Sequence, residues 1–437
     1  MTDGRPNVVL VSIDSLRADH CGYVGASPES GLTQTLDCLA ADGVAFRNAI
    51  APGPQTFSSM PATFTGVPRA PAAVERHGDA YGWERRLTTI ATHLERYPSL
   101  AERLHDRGYT TAALTPNPWT STAAQFEAGF DRFLDRSATG QHSRLSNFIS
   151  RIPQVDVDTK PLELGLNMLT NQSFFSNWES FYDDLLDLRA GLREPYFLWV
   201  FLMDTHIPYI TRRAHRQENS VLEMYYGVLR SEGAMRGRAE SVPPSAVGPL
   251  ERSYRDTVRA VDAFLARLRS DLAADDPVWV VHSDHGESLG EHGNWGHHHR
   301  NVYEENLHVP FVVANAGVQE VVDEPVSLTA VPDLVETLAR GRQFVPRAMT
   351  SPFVFASSEC GRFRTVRGRR FKYVDGDGDA ALYDLSNDPD ERRDVAPSFP
   401  AVARELRRHL DGVERHRSEQ DRIERAAAVA AAEDPTA

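Results

Sequence analysis

The chain has 437 residues, 41% hydrophobic and 25% charged, with a formal net charge of -14 at pH 7. It can bury a full α/β core and still carry a smaller appendage. An acidic balance with no Lys/Arg block argues against nucleic acid or an anionic membrane surface as the main partner. The only lysines are Lys160 and Lys372, so almost all positive charge is arginine. Cys21, Cys38 and Cys360 match no zinc or redox spacing, and an odd count leaves one unpaired, which favours a reducing compartment. With neither a leader-like pattern nor an apolar run of bilayer length, the expectation is a cytoplasmic protein with no membrane span.

In chain order, the apolar run Asn7 to Ile13 reads as a buried strand closed by Asp14, ahead of Ser15, Leu16 and Arg17. Apolar spacing predicts a helix over 33–43, then a short strand Val44 to Ile50. A Pro-Gly-Pro turn follows, and Thr56, Ser58 and Ser59 stand at the start of a further helix. Hydroxyls there serve as N-caps or, facing a bound oxyanion, as nucleophiles. A helix is expected over 99–108 and a strand Tyr109 to Thr115, followed by Asn117. The polar region 136–193 reads as a variable insertion with one helix, Trp178 to Leu192.

Tyr196 to Met203 is a strongly apolar strand ending in Asp204, with His206 just beyond. A long amphipathic helix, Arg252 to Ala274, feeds the strand Val278 to Ser283, which ends in Asp284, His285 and Gly286. Around it cluster His282, His292, His297, His298, His299 and His308. After a strand at Val309 to Ala314 and a helix at Val331 to Ala339, short strands separated by turns such as 375–378 predict a small antiparallel sheet. Asp375 to Asp379 lacks the spacing of a calcium loop. A last helix, Pro400 to His416, is expected to precede a fraying Ala-rich tail.

Helix before strand, repeated, predicts an α/β fold: a mostly parallel central sheet covered by helices on both faces, plus a small C-terminal antiparallel sheet and helix. Three strands end in Asp, two with His close behind. In such sheets ligands bind beyond the carboxyl ends of the strands, so these ends can converge on one site. Asp beside His supplies hard-to-borderline metal ligands, and glycine lets the backbone leave the strand tightly. Strand-end capping is the alternative for these residues, and a capping role for Thr56, with Ser58 or Ser59 reacting instead, is the alternative there.

Together, Ile13 to Asp19, Thr56 to Gly66, Ser283 to Glu287 with Gly290 to Gly293, and Tyr383 to Glu391 resemble the sulfatase family of the alkaline phosphatase superfamily. The resemblance implies Asp14, Asp284 and His285 as metal ligands, with Thr56 as nucleophile and fourth ligand. His206 and His297 would meet the ester oxygen or the leaving group, while Arg17, Asn117 and His298 would line the pocket. On donor type the Asp, Asp, His, Thr shell suits a divalent metal (Mn, Zn, Mg or Ca), and Asp204, His206 and one of the loop histidines offer donors for a second. Glu287 and Glu291 read as orienting partners of histidines.

The sequence departs from the family at the reacting position. Thr56 stands where sulfatases have a cysteine or serine that becomes formylglycine, Ser58 replaces the motif's proline and Met60 its arginine. This resembles a threonine-nucleophile branch. A hydroxyl bound to a divalent cation becomes a usable nucleophile near neutrality, so the expected reaction is in-line attack by metal-bound Thr56 with a covalent intermediate. A threonine sulfate lacks the easy elimination open to a formylglycine hydrate, which favours phosphate, phosphodiester or phosphonate esters over sulfate. The substrate is expected to be a small-molecule or glycan-linked anionic ester. Alternatives are a transferase to an acceptor alcohol and a non-catalytic anion-binding protein. The expected organisation is a catalytic unit 1–345, a small α+β unit 346–416 and a tail 417–437.

Overall fold

The computed structural model describes residues 5–24, 31–69, 82–137, 177–235, 242–298, 300–376 and 378–433. Among these residues fifteen strands run in chain order: β1 Val8–Ile13, β2 Val44–Ile50, β3 Thr110–Thr115, β4 Arg132–Asp135, β5 Tyr196–Leu202, β6 Val278–Ser283, β7 Ser288–Leu289, β8 Trp295–Gly296, β9 His308–Ala314, β10 Glu320–Val322, β11 Val326–Ser327, β12 Val354–Ser357, β13 Phe363–Arg367, β14 Phe371–Gly376 and β15 Asp379–Asp384. Nine form the central sheet in the order β10-β2-β9-β6-β1-β5-β3-β4, with β11 beside β2. Pairing is parallel except where β9 meets β6 and β2.

β1, β5 and β6 are buried along their whole length, as their unbroken apolar runs require when both faces of a sheet are covered. Alternation divides the side chains between two cores. Val8, Leu10, Phe197, Trp199, Phe201 and Val280 point to one face, under the helices Thr56–Thr65, Leu100–His105 and Val331–Ala339. Val9, Val11, Ile13, Leu198, Val200 and Val281 point to the other, under Gln34–Ala41 and Pro244–Asp271. Each fully buried side chain of this size contributes about 1.5–3 kcal/mol, so the sheet centre is also the most stable ground for a site.

β12 to β15 form a four-stranded antiparallel sheet. Val366, Tyr373 and Leu382 pack it on Leu406 and Leu410 of the terminal helix. That helix runs Pro400–Glu433, past His416 where fraying was expected. The reason is local: the last stretch is dominated by alanine, the strongest helix former, with no glycine or proline to stop it.

The helix Pro244–Asp271 begins eight residues earlier than its apolar spacing suggests, because Pro244 occupies its first turn. Helices at Trp83–Arg96 and Val221–Met235 were not foreseen. Most of the expected insertion, 138–176, lies outside the described residues. Among the described residues no helix is long and apolar enough to cross a membrane.

Candidate active site

Register brings the strand ends together. Ile13 pairs with Leu202 on one side and with Ser283 on the other. The next residues, Asp14, Met203 with Asp204, and Asp284, therefore leave the sheet side by side. The ladder continues one step further, with Asp14 N–H donating to the Leu202 carbonyl (2.8 Å) and Asp284 N–H to the Ile13 carbonyl (3.0 Å). β3, on the far side of β5, ends at the same edge and delivers Asn117.

Asp14, Asp284 and His285 are fully buried, and a ligand atom from each lies within 4.8 Å of the others. Nε2 of His285 is 3.6 Å from Asp14 Oδ1 and 3.6 Å from Asp284 Oδ2. The Thr56 hydroxyl is 3.5 Å from Asp14 Oδ2 and 3.3 Å from His285 Nε2. Thr56 opens the helix Thr56–Thr65, and its neighbours are engaged elsewhere. Ser58 donates to the Gln55 carbonyl (2.8 Å) and Ser59 to the Asp284 carbonyl (2.6 Å).

The surrounding hydrogen bonds set each group's state. His285 Nδ1 lies 2.8 Å from the Gly286 carbonyl, which places the proton there and leaves Nε2 as a lone-pair donor to the cluster. Burial, with nearby His297, pulls this imidazole down to about 4, so it is neutral at physiological pH. Burial and the Asp14 charge push the Asp284 carboxyl well above its ordinary range. Burial also opposes ionisation of Asp14, but His206, His285 and His297 outweigh it and lower that carboxyl. Asn117 Nδ2 and the Ser15 hydroxyl donate to Asp14 at 2.9 and 2.8 Å.

The buried Asp284 Oδ2 has no hydrogen-bond partner. Two dry carboxylates, one with an orphaned oxygen, beside an imidazole lone pair form a donor set suited to a cation. The donor set of Asp, Asp, His and Thr fits a divalent metal of hard or borderline character.

His297 comes from the loop after β8, and its ring stands 4.7 Å from that of His285 and 4.9 Å from that of His206. Burial disfavours its charge, but Glu287 at 3.0 Å outweighs this and, with Asp14, raises the imidazole above its ordinary value. Glu287 thus orients a histidine as expected. Glu291 does not: it pairs with Arg17 at 2.6 Å.

Arg17 itself is divided among Asp19, Glu291 and the Glu287 carbonyl. His298 is a half-buried neighbour whose Nε2 has no partner, and His299 lies outside the described residues. No second cation site from Asp204, His206 and His297 or His298 is assembled among the described residues. Asp204 instead accepts from Trp178 N–H at 3.3 Å, and burial together with Glu179 pushes it up to about 8. His282 belongs to β6 and is structural, its Nε2 2.9 Å from the hydroxyl of Ser12 on the paired strand β1.

Three contributors were missed. Ser15 reaches both Asp14 and Asp284, through its hydroxyl and its N–H, from a left-handed backbone (φ 61°). Thr205 donates to the Asp14 carbonyl, and Gln55 Nε2 holds the His297 carbonyl at 3.1 Å. A hydroxyl directly after a strand-end acid was the signal available for Ser15.

A mixed α/β sheet with a buried Asp-Asp-His set and a threonine hydroxyl at its carboxyl edge defines an alkaline phosphatase-like protein. Residues 6–340 match the sulfatase family, and the chain belongs to it. It is similar to a Δ4,5-hexuronate-2-O-sulfatase of Bacteroides thetaiotaomicron (29% identity over 35% of this chain and 38% of that one). It also resembles a choline-sulfatase of Rhizobium meliloti (23%; 73% and 64%) and an arylsulfatase of Clostridium perfringens (22%; 89% of each). The match thus spans less than two thirds of the first two relatives. Among solved structures, a phosphonate monoester hydrolase of Agrobacterium radiobacter superposes with a TM-score of 0.66 at 19% identity, covering 94% of this chain and 96% of that one. A 2-O GAG sulfatase gives 0.65 at 18%, covering 96% and 94%.

Proposed function

We propose that the protein is a metal-dependent hydrolase of sulfate or phosphate esters in which Thr56 is the nucleophile, and that phosphorus esters are its preferred substrates. The carrying observation is the placement of the Thr56 hydroxyl against both Asp14 and His285 while Ser58 and Ser59 are committed to carbonyls. Membership of the sulfatase family supports the ester class, and the likeness to a phosphonate monoester hydrolase is compatible with phosphorus chemistry.

Asp14, Asp284, His285 and Thr56 would hold the metal, which when bound lowers the hydroxyl's pKa and takes up charge on the transferring group. The Thr56 proton passes to Asp14 Oδ2, its hydrogen-bond acceptor. Thr56 Oγ1 then bonds to phosphorus or sulfur as the bond to the alcohol oxygen breaks. His297, paired with Glu287, gives its proton to the departing oxygen, and His206 stands beside it as the other candidate donor. Water attacks the threonyl ester and releases the acid. Asn117 keeps Asp14 aimed at the hydroxyl.

The reading takes residues 1–345 as the catalytic unit. The cysteines Cys21, Cys38 and Cys360 are free thiols, compatible with a cytoplasmic setting. The test is turnover of matched aryl sulfate, phosphate monoester, phosphodiester and phosphonate monoester by metal-reconstituted protein, with Thr56→Ala alongside. Cleavage of a phosphorus ester that vanishes in the variant is expected. Preference for the sulfate would sink the phosphorus assignment, and full activity in the variant would sink Thr56.

A further inference from the structure

The turn that follows β6 is held from outside the central sheet. Gly286 N–H donates to the Asn306 carbonyl at 2.8 Å and Glu287 N–H to the Glu305 carbonyl at 2.9 Å, so both bonds go to one short helix, Glu304–Leu307. One residue further on, the Ser288 hydroxyl donates to Asn306 Oδ1 at 2.8 Å. Whatever fixes that helix therefore fixes the carboxylate of Glu287, which is fully buried and aims His297.

A helix of four residues has almost no stability of its own, and its first N–H groups find no acceptor within it. Tyr303, the residue ahead of it, makes no side-chain cap. The acceptor comes instead from the C-terminal unit: Glu391 Oε2 takes the Glu304 N–H at 2.6 Å, across 87 residues of chain. Glu391 is 2% exposed, and its Oε1 lies 3.0 Å from Nζ of the buried Lys372 on β14. Its backbone is left-handed (φ 53°), a conformation that a non-glycine residue keeps only where its surroundings enforce it.

A second tie starts from the same residue. The Glu391 carbonyl is 3.1 Å from Nε2 of His292, in the middle of the loop between Glu287 and His297. Nδ1 of that ring is 3.2 Å from Glu305 Oε1, and the ring lies flat on Tyr303 with 3.8 Å between centres.

We propose that Glu391 is a positioning residue for the reaction: it caps the helix Glu304–Leu307 and braces His292, and so keeps Glu287 and His297 in place for proton transfer to the departing oxygen. The inference rests on the reading of His297 as the proton donor. The proposed catalytic unit then depends on a residue outside it, and the small C-terminal sheet serves the reaction by bracing the loop.

Hydrogen–deuterium exchange tests the brace without turnover. In Glu391→Ala, peptides covering 284–297 should exchange roughly tenfold faster while those covering β1 keep their native rate. Glu391→Gln still offers an oxygen to Glu304 N–H and should restore the native pattern. His292→Phe keeps the stack on Tyr303 but breaks the second tie and should loosen the same peptides, so it carries the test if Glu391→Ala does not fold. Native exchange over 284–297 in these two variants, or an increase shared equally by β1, overturns the positioning role.

Kinetics tests what the brace is for. Two aryl esters share one reacting group and release phenol or para-nitrophenol, the second of which departs readily without a proton. A residue that only stabilises the fold would scale both rates by the folded fraction. Glu391→Ala should instead lower kcat for the phenyl ester roughly 10- to 100-fold more than for the nitrophenyl ester, with KM little changed and Glu391→Gln close to native. Equal losses on the two esters overturn the role. If the native protein cleaves neither ester, the hydrolase reading falls, while the Glu391-dependent order of the loop is still decided by exchange.

Discussion

Nε2 of His285 stands 3.3 Å from the Thr56 hydroxyl, although 229 residues of chain separate the two. The ring is aimed by its other nitrogen, held at the Gly286 carbonyl, so a lone pair and not a proton faces the threonine. Replacing Thr56 by Ala should therefore lower kcat by roughly 10^4- to 10^6-fold, as when a nucleophile is removed from a set that works as a unit. Thr56→Ser should retain measurable turnover because the attacking oxygen survives. Steady-state kinetics on the best ester decides, and near-normal turnover by the Ala variant would discard the assignment.

Ser58 should behave differently. Its hydroxyl accepts from Gln55 N–H at 3.2 Å and donates to the Gln55 carbonyl at 2.8 Å, tying down the first turn of the helix that carries Thr56. Ser58→Ala is expected to lose about 1 kcal/mol of stability, the worth of a helix cap, while keeping turnover. Urea unfolding and kinetics on the same preparation check both halves, and an inactive but fully stable variant would point to Ser58 as a reacting group.

Metal binding has a readout apart from catalysis. Buried Asp14 and Asp284 repel one another, so a divalent cation at 100 times its Kd should stabilise the fold by about 2.7 kcal/mol. Asp284→Asn should abolish this metal-dependent rise in Tm. In chelator the same variant should be at least as stable as the native protein, since a dry carboxyl with an orphaned oxygen is gone. Thermal scans with and without chelator test this, and a rise in Tm undiminished in Asp284→Asn would place the metal elsewhere.

A pH dependence is built in away from the site. Lys372 is fully buried between Glu304 and Glu391, 3.0 Å from each, with Arg367 also on Glu304 and His292 on the Glu391 carbonyl. Burial pushes Glu391 up to about 7 from 4.5, and Glu304 raises it further against the pull of Lys372. The folded state therefore holds a proton that the unfolded chain releases. This contribution to stability is complete below about 4.5 and lost as pH rises through about 7. Native Tm should thus fall more between about pH 5 and about pH 8, which spans most of that window, than that of Glu391→Gln. Parallel Tm-versus-pH curves for the two proteins would refute the assignment.

Much of this was legible in the chain because the cues are local. Continuous apolar runs ending in Asp14, Asp204 and Asp284 announce buried parallel strands whose ends carry chemistry, and those strands do lie side by side. Gly286 was read as a tight exit from β6, and a Cβ there would lie 2.1 Å from the Glu305 carbonyl oxygen. Helices at Trp83–Arg96 and Val221–Met235 were missed although the signal was present in the first, where Trp83, Leu87, Ile90, Ala91 and Leu94 recur at helical spacing.

By itself the sequence determined the α/β alternation, the mostly parallel sheet and the residue types gathered at its carboxyl edge, because hydrophobic period and strand-end residues depend on near neighbours alone. Only the tertiary structure decided which side chains share the space beyond that edge. It turned His297 toward His285 and His206, drew Arg17 to Asp19 and Glu291, left Asp204 against Trp178, and set Trp83 on Trp119. Those outcomes hang on register, on hydrogen bonds between residues far apart in the chain and on the burial of charge, none of which exists until the strands have paired.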